Sequence, residues 1–451
     1  MNRSFTLEIE KMVYGGRGMG RIDGKVVFVP FTAPGDRVRV EVVREKKDYM
    51  EAVPGTVEQE SPLRVKPFCG LFGKCGGCQY QHISYAHQLK LKEKELKDSL
   101  LHVKGEKDFE VLPVIPSLHD RGYRIRAQFK GGPKNKNEIL GFYGPKSHQL
   151  VEVRECLLLH PLANQILRGL QNWLGKEREF SVRNADIQVS PDENKGVVQL
   201  HVEGHYTPPM AETLGKEIPG VKGVVLAGKK KISRGELTLL YRCPEILGKR
   251  SLQIQADYDS FTQVNPYQNW NLIERVVEWA DLSGREKAVD LFCGSGNLTL
   301  PLAQRALKVW GIDQDRHAVE RAQENARKNQ LDNCFFIPAT AGAGIARVLA
   351  ETDSVDVVVL DPPRAGAKDV LDGLARMRPR KIIYVSCEPP TLGRDLRRLG
   401  EMGFRLKRIQ PLDMFPHTYH IEVIAELSAF SYQPSAISGQ QRQNIKMAFL
   451  S

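Results

Sequence analysis

The apolar and polar positions of the chain follow three different patterns, which divide it into three regions. Residues 1–60 alternate apolar and polar positions in short runs, such as 26–30 and 36–43, and glycine-rich turns separate these runs. Alternation with a period of two is typical of β-strands that bury one face. Short strands at this spacing predict a small N-terminal β-barrel, a type of fold that often binds nucleic acid on its open face.

Residues 61–255 mix strand-like and helix-like runs and predict a central α+β domain. Within it, residues 61–180 contain 20 Lys and Arg against 12 Asp and Glu, so this stretch is locally basic. A basic helix is predicted over residues 87–101, where lysines and leucines are interspersed. Its lysines have two interpretations, a solvated helix face or a contact with RNA. They are Lys90, Lys92, Lys94 and Lys97.

From residue 266 onward, strand-like and helix-like segments alternate: 287–292, 297–305, 308–312, 317–329, 355–360, 370–377, 381–386 and 391–401. Such alternation is typical of a doubly wound parallel sheet covered by helices. Residues 404–411 and 422–427 are predicted to close the sheet as strands. The sequence therefore predicts a multidomain α/β protein whose third domain, residues 256–430, has a Rossmann-like fold and is followed by a polar tail at 431–451.

Composition and charge narrow the class of protein. The 451 residues carry a formal net charge of +11 with a pI near 9.1, which favours a polyanionic partner, although a basic surface also serves solubility alone. No apolar run is long enough to span a bilayer, and the N-terminus lacks the apolar core of a signal peptide, so we expect a cytoplasmic protein with no membrane partner. In that reducing compartment, the eight cysteines are expected to be ligands, nucleophiles or core residues.

Three cysteines lie within ten residues in a loop crowded with glycine: Cys69, Cys75 and Cys78. Packing in an apolar core does not require three thiols so close together, whereas a metal centre does. Cys156, which follows a strand-like run, is the best candidate for a fourth ligand. Four thiolates suit either zinc or an iron–sulfur cluster, and the presence of only one C-x2-C pair argues against zinc.

A loop containing glycine follows the first strand of the predicted Rossmann-like domain, with the sequence DLFCGSGN at residues 290–297. Gly294 and Gly296 allow the backbone to approach a ligand closely. Asp313 ends the second strand, where an acidic side chain binds ribose hydroxyls, and Asp361 ends a later strand at the same edge of the sheet. A single pair of glycines in place of G-x-G-x-x-G favours S-adenosylmethionine over a dinucleotide.

A candidate nucleophile lies at the end of another predicted strand. Cys387 comes directly after the run 381–386, and Pro389 and Pro390 fix the turn that follows. A side chain in this position is presented at the carboxyl edge of the sheet, where open α/β sheets bind ligands. The alternative is a structural cysteine, because free cysteine is commonly a small core residue. Glu422 supplies a carboxylate in a second ordered segment downstream.

The motifs occur in an order that is characteristic of one family. They are a start similar to a TRAM domain, C-x5-C-x2-C (69–78), FTQVN (261–265), DLFCGSGN (290–297), DPPRAG (361–366), YVSCEPPTL (384–392) and DMFPHTYHIE (413–422). On these motifs the chain resembles the RNA uracil-5 C-methyltransferase family over nearly its whole length, and in particular the members that act on 23S ribosomal RNA.

The resemblance implies methylation of carbon 5 of a uridine in RNA with S-adenosylmethionine as methyl donor. It implies that Cys387 is the nucleophile that adds to carbon 6 and that Glu422 is the base that removes the carbon-5 proton. It also implies a [4Fe-4S] cluster on Cys69, Cys75, Cys78 and Cys156. The residues expected around S-adenosylmethionine are Gln263, Phe292, Gly294, Gly296, Asn297, Asp313, Thr340 and Asp361, and those expected to contact the substrate are Phe261 and Arg364.

Two positions depart from the family pattern. Many members have Asn in place of Glu388 and Glu in place of Asp313. Asp313 is a shorter acid than Glu and is expected to bind the ribose hydroxyls in the same way. A carboxylate at 388 would raise the pKa of the neighbouring thiol unless it points away.

Three competing functions are weaker. The carboxylate segment 413–422 argues against RNA cytosine-5 methylation, and the presence of both Cys387 and Glu422 argues against an RNA-binding protein without activity. The cysteine spacing differs from the C-x3-C-x2-C loop expected for radical chemistry. We expect a monomer that acts on ribosomal RNA, and the T-loop of transfer RNA is the alternative substrate.

Overall fold

Six short strands form the N-terminal sheet: β1 (Ser4–Glu8), β2 (Lys11–Val13), β3 (Arg17–Ile22), β4 (Lys25–Pro30), β5 (Arg37–Glu45) and β6 (Tyr49–Gln59). The strand order is β1-β5-β6-β4-β3-β2. Alternate residues such as Val27, Val29, Val38 and Val40 are buried inside it, as the period-two pattern predicts. The computed structural model describes residues 3–101, 103, 109–134, 137–176 and 180–429, so the predicted tail 431–451 lies outside the described residues.

The central region begins with the cysteine loop, helix α1 (Tyr85–Leu100) and strand β7 (Glu110–Val111). A larger set of elements follows: β8 (Arg126–Lys134), β9 (Asn137–Tyr143), β10 (Leu150–Glu152), α2 (Pro161–Leu174), β11 (Phe180–Ser190), β12 (Lys195–Gly204), α3 (Pro208–Glu217), β13 (Val221–Ala227) and β14 (Lys231–Gly235). The seven strands β8–β14 form one sheet with the order β10-β9-β8-β11-β12-β13-β14. Helices α2 and α3 pack on this sheet and share its apolar core.

The third domain starts with a hairpin, β15 (Thr238–Cys243) and β16 (Leu252–Asp257). Its other elements are α4 (Pro266–Ala280), β17 (Lys287–Leu291), α5 (Thr299–Ala303), β18 (Lys308–Asp313), α6 (Arg316–Lys328), β19 (Cys334–Pro338), α7 (Ala341–Glu351), β20 (Val357–Leu360), α8 (Leu371–Met377), β21 (Lys381–Ser386), α9 (Pro389–Glu401), β22 (Phe404–Leu412) and β23 (Glu422–Ala429).

The sheet of this domain has the order β19-β18-β17-β20-β21-β23-β22-β7. Strands β17 to β21 are parallel, whereas β23 is antiparallel to both of its neighbours. Apolar cores on the two faces of the sheet contain helices α7, α8 and α9 on one side and α4, α5 and α6 on the other. The predicted multidomain α/β fold with a Rossmann-like third domain is confirmed.

Two segments of the predicted central domain pack into the third domain instead. Strand β7 extends the third sheet by pairing with β22, and α1 buries Leu96 and Leu100 in the core on one face of that sheet. The predicted boundary at 255/256 falls inside β16, whereas the boundary at 60/61 follows the end of β6. The chain therefore crosses between the two regions several times, and residues 61–255 do not form a separate unit.

Helix α1 buries polar side chains, which a solvated basic helix does not predict. Gln88, Lys92 and Glu95 are buried with the leucines. The remaining lysines of the predicted basic run, Lys90, Lys94 and Lys97, are exposed. No helix in the described part of the chain is long and apolar enough to cross a membrane.

Candidate active site

Strand order and register bring the predicted nucleophile and the predicted base to one edge of the third sheet. Ser386, the last residue of β21, pairs with Val423 of the antiparallel strand β23. Cys387 directly follows Ser386 in the chain, and Glu422 directly precedes Val423. Residues directly opposite on paired strands lie about 5 Å apart at their Cβ atoms. The two side chains therefore meet where the parallel strands end.

Burial and nearby carboxyl groups raise the pKa of the Cys387 thiol, and one arginine opposes them. Burial is the largest cause that raises its pKa to about 11, and the carboxyl groups of Glu422 and Asp361 add to the increase. Arg364 opposes them and lowers the pKa. A thiol with a pKa near 11 is mostly protonated at neutral pH, so ionisation of Cys387 depends on this arginine and on what enters the site.

Glu422 and Asp361 interact as a pair of carboxyl groups. Burial raises the pKa of Glu422 well above its usual range, the charge of Asp361 raises it further and Arg364 opposes both. Burial also raises the pKa of Asp361, to about 6. Glu422 is 3% exposed, and the charge of Asp361 adds to the effect of burial on its pKa.

The departure at position 388 has little effect on the thiol. Glu388 is the last of the causes that raise the pKa of Cys387, after burial and two other carboxyl groups. Its carboxylate faces Tyr14, from the turn between β2 and β3 of the N-terminal barrel. The Tyr14 hydroxyl is buried there, but it forms no hydrogen bond of normal geometry with Glu388. The Glu388 carboxylate thus acts on Tyr14 of the barrel, and on the thiol more weakly than Glu422 and Asp361 do.

A cavity beside this pair contains most of the predicted cofactor residues. Those that line it are Gln263, Phe292, Gly294, Asn297 and Asp361, together with Phe261. Gly294 has a φ of +51°, and a Cβ atom there would meet no other atom within 4 Å, so its backbone faces open space. This fits a loop against which a ligand lies.

The other predicted cofactor residues are not among those that line the cavity. Asp313 Oδ2 accepts a hydrogen bond of 2.9 Å from the Gly294 amide, and so supports the glycine loop from the end of β18. Gly296 packs on Leu300, with a φ of +93°. Thr340 precedes helix α7, next to the end of β19 at the same edge of the sheet.

Sequence reasoning missed several residues of the cavity. Asp290 is buried at the end of β17, where its carboxyl group accepts a hydrogen bond of 2.5 Å from Thr299, and burial raises its pKa to about 7. Its position at the end of an apolar strand was a signal that could have identified it. Asn269 of α4 exchanges two hydrogen bonds of 2.9 Å with Asn297. Trp270 from the same helix also lines the cavity, and no local motif marks it.

The two predicted substrate residues lie at the open side of the site. Phe261 is 73% exposed, the largest exposure among the exposed large apolar side chains in the described residues. Arg126 anchors the loop before it through a hydrogen bond of 2.7 Å to the Ser260 carbonyl. Arg364 is exposed in the 361–367 loop, which Asp395 of α9 holds through a 2.8 Å bond from the Ala367 amide.

The four cysteines predicted to bind a cluster line one cavity of about 290 Å³. Burial raises the pKa of Cys75, Cys78 and Cys156, that of Cys78 to about 12, and neighbouring thiols of the set add to each increase. No three Cys, His, Asp or Glu side chains among the described residues converge closely enough to hold a single metal ion. Four thiols around one cavity are a donor set that suits an iron–sulfur cluster and also suits zinc.

Comparisons with known proteins identify relatives over nearly the whole chain. The family model described as tRNA (Uracil-5-)-methyltransferase matches residues 84–429, and the model described as tRNA (uracil(54)-C(5))-methyltransferase, TRAM domain, matches residues 6–63. An uncharacterized RNA methyltransferase of Aquifex aeolicus is 36% identical over 431 residues, covering 94% of this chain and 99% of its own length. One from Caldanaerobacter subterraneus is 34% identical over 445 residues, covering 94% and 98%.

A solved structure has the same architecture. The crystal structure of Pyrococcus abyssi tRNA (uracil-54, C5)-methyltransferase in complex with S-adenosyl-L-homocysteine superposes with a TM-score of 0.71. It is 27% identical and covers 95% of this chain and all of its own chain. The likeness thus includes the N-terminal barrel, the central region and the third domain.

Proposed function

The chain belongs to the RNA uracil-5-methyltransferase family with an N-terminal TRAM domain, and on that premise we propose that it methylates carbon 5 of one uridine in ribosomal RNA through Cys387 and Glu422. The observation that carries this proposal is the pairing of Ser386 with Val423, which sets a thiol beside a buried carboxyl group. The enzyme is an RNA (uracil-5-)-methyltransferase that uses S-adenosylmethionine.

The cofactor site supports this assignment. S-adenosylmethionine, when bound, supplies an electrophilic methyl group. Gln263, Phe292 and Gly294 would hold it in the cavity beside Asp361, and Asp313 would keep the glycine loop in place from behind. Binding in this position agrees with the general rule that open α/β sheets bind ligands at the carboxyl ends of their strands, where the strand order reverses.

The chemistry at the base proceeds in three steps. Cys387 reacts as its thiolate, having lost its proton: its sulfur forms a bond to carbon 6, and the electrons of the carbon 5–carbon 6 double bond move into an enolate. Carbon 5 then takes the methyl group, and the bond from that methyl group to its sulfonium sulfur breaks. Glu422 removes the proton from carbon 5, and the bond between carbon 6 and the Cys387 sulfur breaks to restore the double bond and free the enzyme.

The surroundings of the two groups suit these steps. A buried carboxylate with a raised pKa is a strong base, which removal of a carbon-bound proton requires. Arg364 lowers the pKa of Cys387 and so favours the attacking thiolate. The target base must leave its stack to reach Cys387, and the exposed ring of Phe261 at the mouth of the cavity would receive it.

The cysteine cavity would hold a [4Fe-4S] cluster. Cys69, Cys75, Cys78 and Cys156 would be its ligands, and their position around one cavity supports this. The cluster would be structural, and no step of methyl transfer depends on it.

The T-loop uridine of transfer RNA is the second candidate substrate. The observation in its favour is the match to the Pyrococcus abyssi enzyme, whose name specifies uracil 54 of transfer RNA. A strain lacking this gene distinguishes the two by mapping 5-methyluridine in both RNA pools. We expect loss of one ribosomal 5-methyluridine, with transfer RNA unchanged. Loss confined to transfer RNA would assign the alternative, and loss in neither pool would contradict both.

A further inference from the structure

We propose that Lys92 of helix α1 is a positioning residue for Glu422. Its buried ammonium group closes the 413–421 loop (the residues between β22 and β23), from which the chain enters β23 at Glu422. This inference rests on the proposed role of Glu422 as the base. It concerns a helix in the central region of the sequence, outside every motif of the third domain.

Lys92 makes three hydrogen bonds to one loop. Its Nζ donates to Asp413 Oδ1 at 2.6 Å, to the Phe415 carbonyl at 3.1 Å and to the His420 carbonyl at 2.8 Å. The side chains of Lys92 and Asp413 are both fully buried. An ammonium group has three donors, so every one is used on this loop. The acceptors lie at the beginning, the interior and the end of the loop.

The ends of the 413–421 loop are already fixed by the sheet. Leu412 pairs with Glu422 as the last pair of β22 and β23. His420 is two residues before Glu422, so the bond from Lys92 acts directly on the backbone that leads into the base. A buried charge that binds two carbonyls of a loop restrains their positions relative to each other.

Neighbouring residues restrain the middle of the same loop. The Gln88 side chain accepts a hydrogen bond from the His417 amide, and its Nε2 lies 3.0 Å from His417 Nδ1. The amides of Gln79 and Tyr80, which follow Cys78 directly, both donate to the His417 carbonyl. His417 has a φ of +66°, a conformation that a residue other than glycine rarely adopts. Hydrogen bonds to the amide and to the carbonyl of His417 stabilise this conformation.

A contribution to stability alone is the competing explanation for this ion pair. Buried ion pairs are frequently replaceable by apolar residues without loss of stability, so stability does not by itself require Lys92. What an apolar residue cannot supply is a donor to the Phe415 and His420 carbonyls. Without that donor, the backbone that leads into Glu422 would no longer be held in place. Misplacement of a catalytic group by about 1 Å can cost on the order of 100-fold in rate.

The experiment compares three variants with the parent enzyme. Lys92→Met removes the ammonium group and keeps the length of the side chain. Lys92→Met with Asp413→Asn also removes the unpaired buried carboxylate, and remains informative if the single variant does not fold. Lys97→Met is the matched control, because Lys97 is exposed on the same helix and pairs with Glu93 at 2.7 Å.

The readouts are kcat, RNA affinity and the amount of protein covalently attached to RNA on denaturing gels. We expect Lys92→Met and the double variant to lower kcat by about 10- to 100-fold. They should also accumulate the covalent adduct and bind RNA with parental affinity. A residue that only stabilises the fold would lower the melting temperature without producing the adduct. Lys97→Met should behave as the parent.

Glu422→Gln separates failure of this inference from failure of the proposed function. If Glu422→Gln accumulates the adduct and folded Lys92→Met or the double variant does not, the positioning role is wrong. If Glu422→Gln itself turns over without an adduct, the assigned base is wrong, and the positioning role is wrong with it.

Discussion

Tyr14 of the N-terminal barrel lies edge-on against Tyr419 of the 413–421 loop, with ring centroids 5.4 Å apart and an angle of 88° between the rings. Gly16, from the same turn, approaches so closely that a Cβ atom there would lie 3.4 Å from the Tyr419 Cβ. The barrel thus contacts the loop that leads to the proposed base. A module predicted only to bind RNA therefore also borders the active site.

Deletion of residues 1–60 should raise the KM for RNA far more than it lowers the rate at saturating RNA. Barrel residues that neutralise phosphates release counterions, so the salt dependence of RNA binding should become shallower in the shortened protein. The affinity for S-adenosylmethionine should not change, because the glycine loop is untouched. Tyr14→Phe, which keeps the ring, is the matched point variant. Equal salt slopes and equal affinities in the intact and shortened proteins would contradict an RNA-binding role.

Cys387→Ala should abolish methyl transfer and leave the binding of RNA and S-adenosylmethionine nearly intact. The thiol is the proposed bond-forming group, so its removal prevents addition to carbon 6. Transfer of labelled methyl groups to RNA measures the loss. Cys334→Ala is the control, since Cys334 lies in β19 at the opposite side of the sheet from β23. Turnover by the Cys387 variant would refute the assignment.

Glu422→Gln should stall the enzyme after methylation and also make it more stable near neutral pH. The pKa of Glu422 is raised in the folded state, so its ionisation favours unfolding once the pH exceeds the unfolded value of about 4.3. The gain in melting temperature should therefore be present at pH 7 and vanish below about pH 4. Calorimetry of the parent and the variant between pH 4 and pH 7 measures this gain in melting temperature. An equal gain at both pH values would mean that ionisation of Glu422 is not the cause.

The rate of alkylation of Cys387 by iodoacetamide should rise with pH well above neutrality, because its thiol pKa is raised to about 11. Glu422→Gln should shift this profile to lower pH more than Glu388→Asn, since Glu422 is the larger of the two causes. Mass spectrometry of the peptide containing Cys387 separates it from the other cysteines. A larger shift in the Glu388 variant would show that its carboxylate faces the thiol.

The protein purified without oxygen should be brown and carry about four irons per chain. Cys78→Ser should lose iron and also lower kcat, because Gln79 and Tyr80, which follow it directly, hold the His417 carbonyl. The competing expectation is an effect on folding or RNA binding alone, since none of the four cysteines lies in the third domain. Metal analysis, melting temperature and kcat of Cys78→Ser distinguish an effect on chemistry from an effect on folding. Stoichiometric zinc without iron would contradict the cluster.

The sequence predicted most strands and helices of the third domain, because buried parallel strands are continuous apolar runs and the helices between them are amphipathic. It missed α4, β19 and α7. It also placed Cys387 and Asp361 at one edge, since strand ends define that edge. It could not place Lys92. Helical periodicity indicates which residues share a face, but here the buried face contains Gln88, Lys92 and Glu95, whose partners include residues far along the chain.

The same limit applies to Tyr14 and to strand β7. Tyr14 lies in a turn, where exposure is the ordinary expectation, and its contact with Tyr419 depends on how two domains pack. Strand β7 has two residues, too few to show a period, and it pairs with β22 at the edge of a sheet formed almost wholly by later residues. Both depend on long-range packing, which local patterns do not encode.

The ion pair between Lys92 and Asp413 spans 321 residues, and this separation has a consequence for synthesis of the protein on the ribosome. At about 5–20 residues per second, Asp413 is made roughly 15 to 65 s after Lys92. During that interval α1 has neither its carboxylate partner nor the core that covers Leu96 and Leu100, and its lysines keep it hydrated. The barrel can fold early, whereas the site that holds Glu422 is completed only after Asp413 and strand β23 have been made.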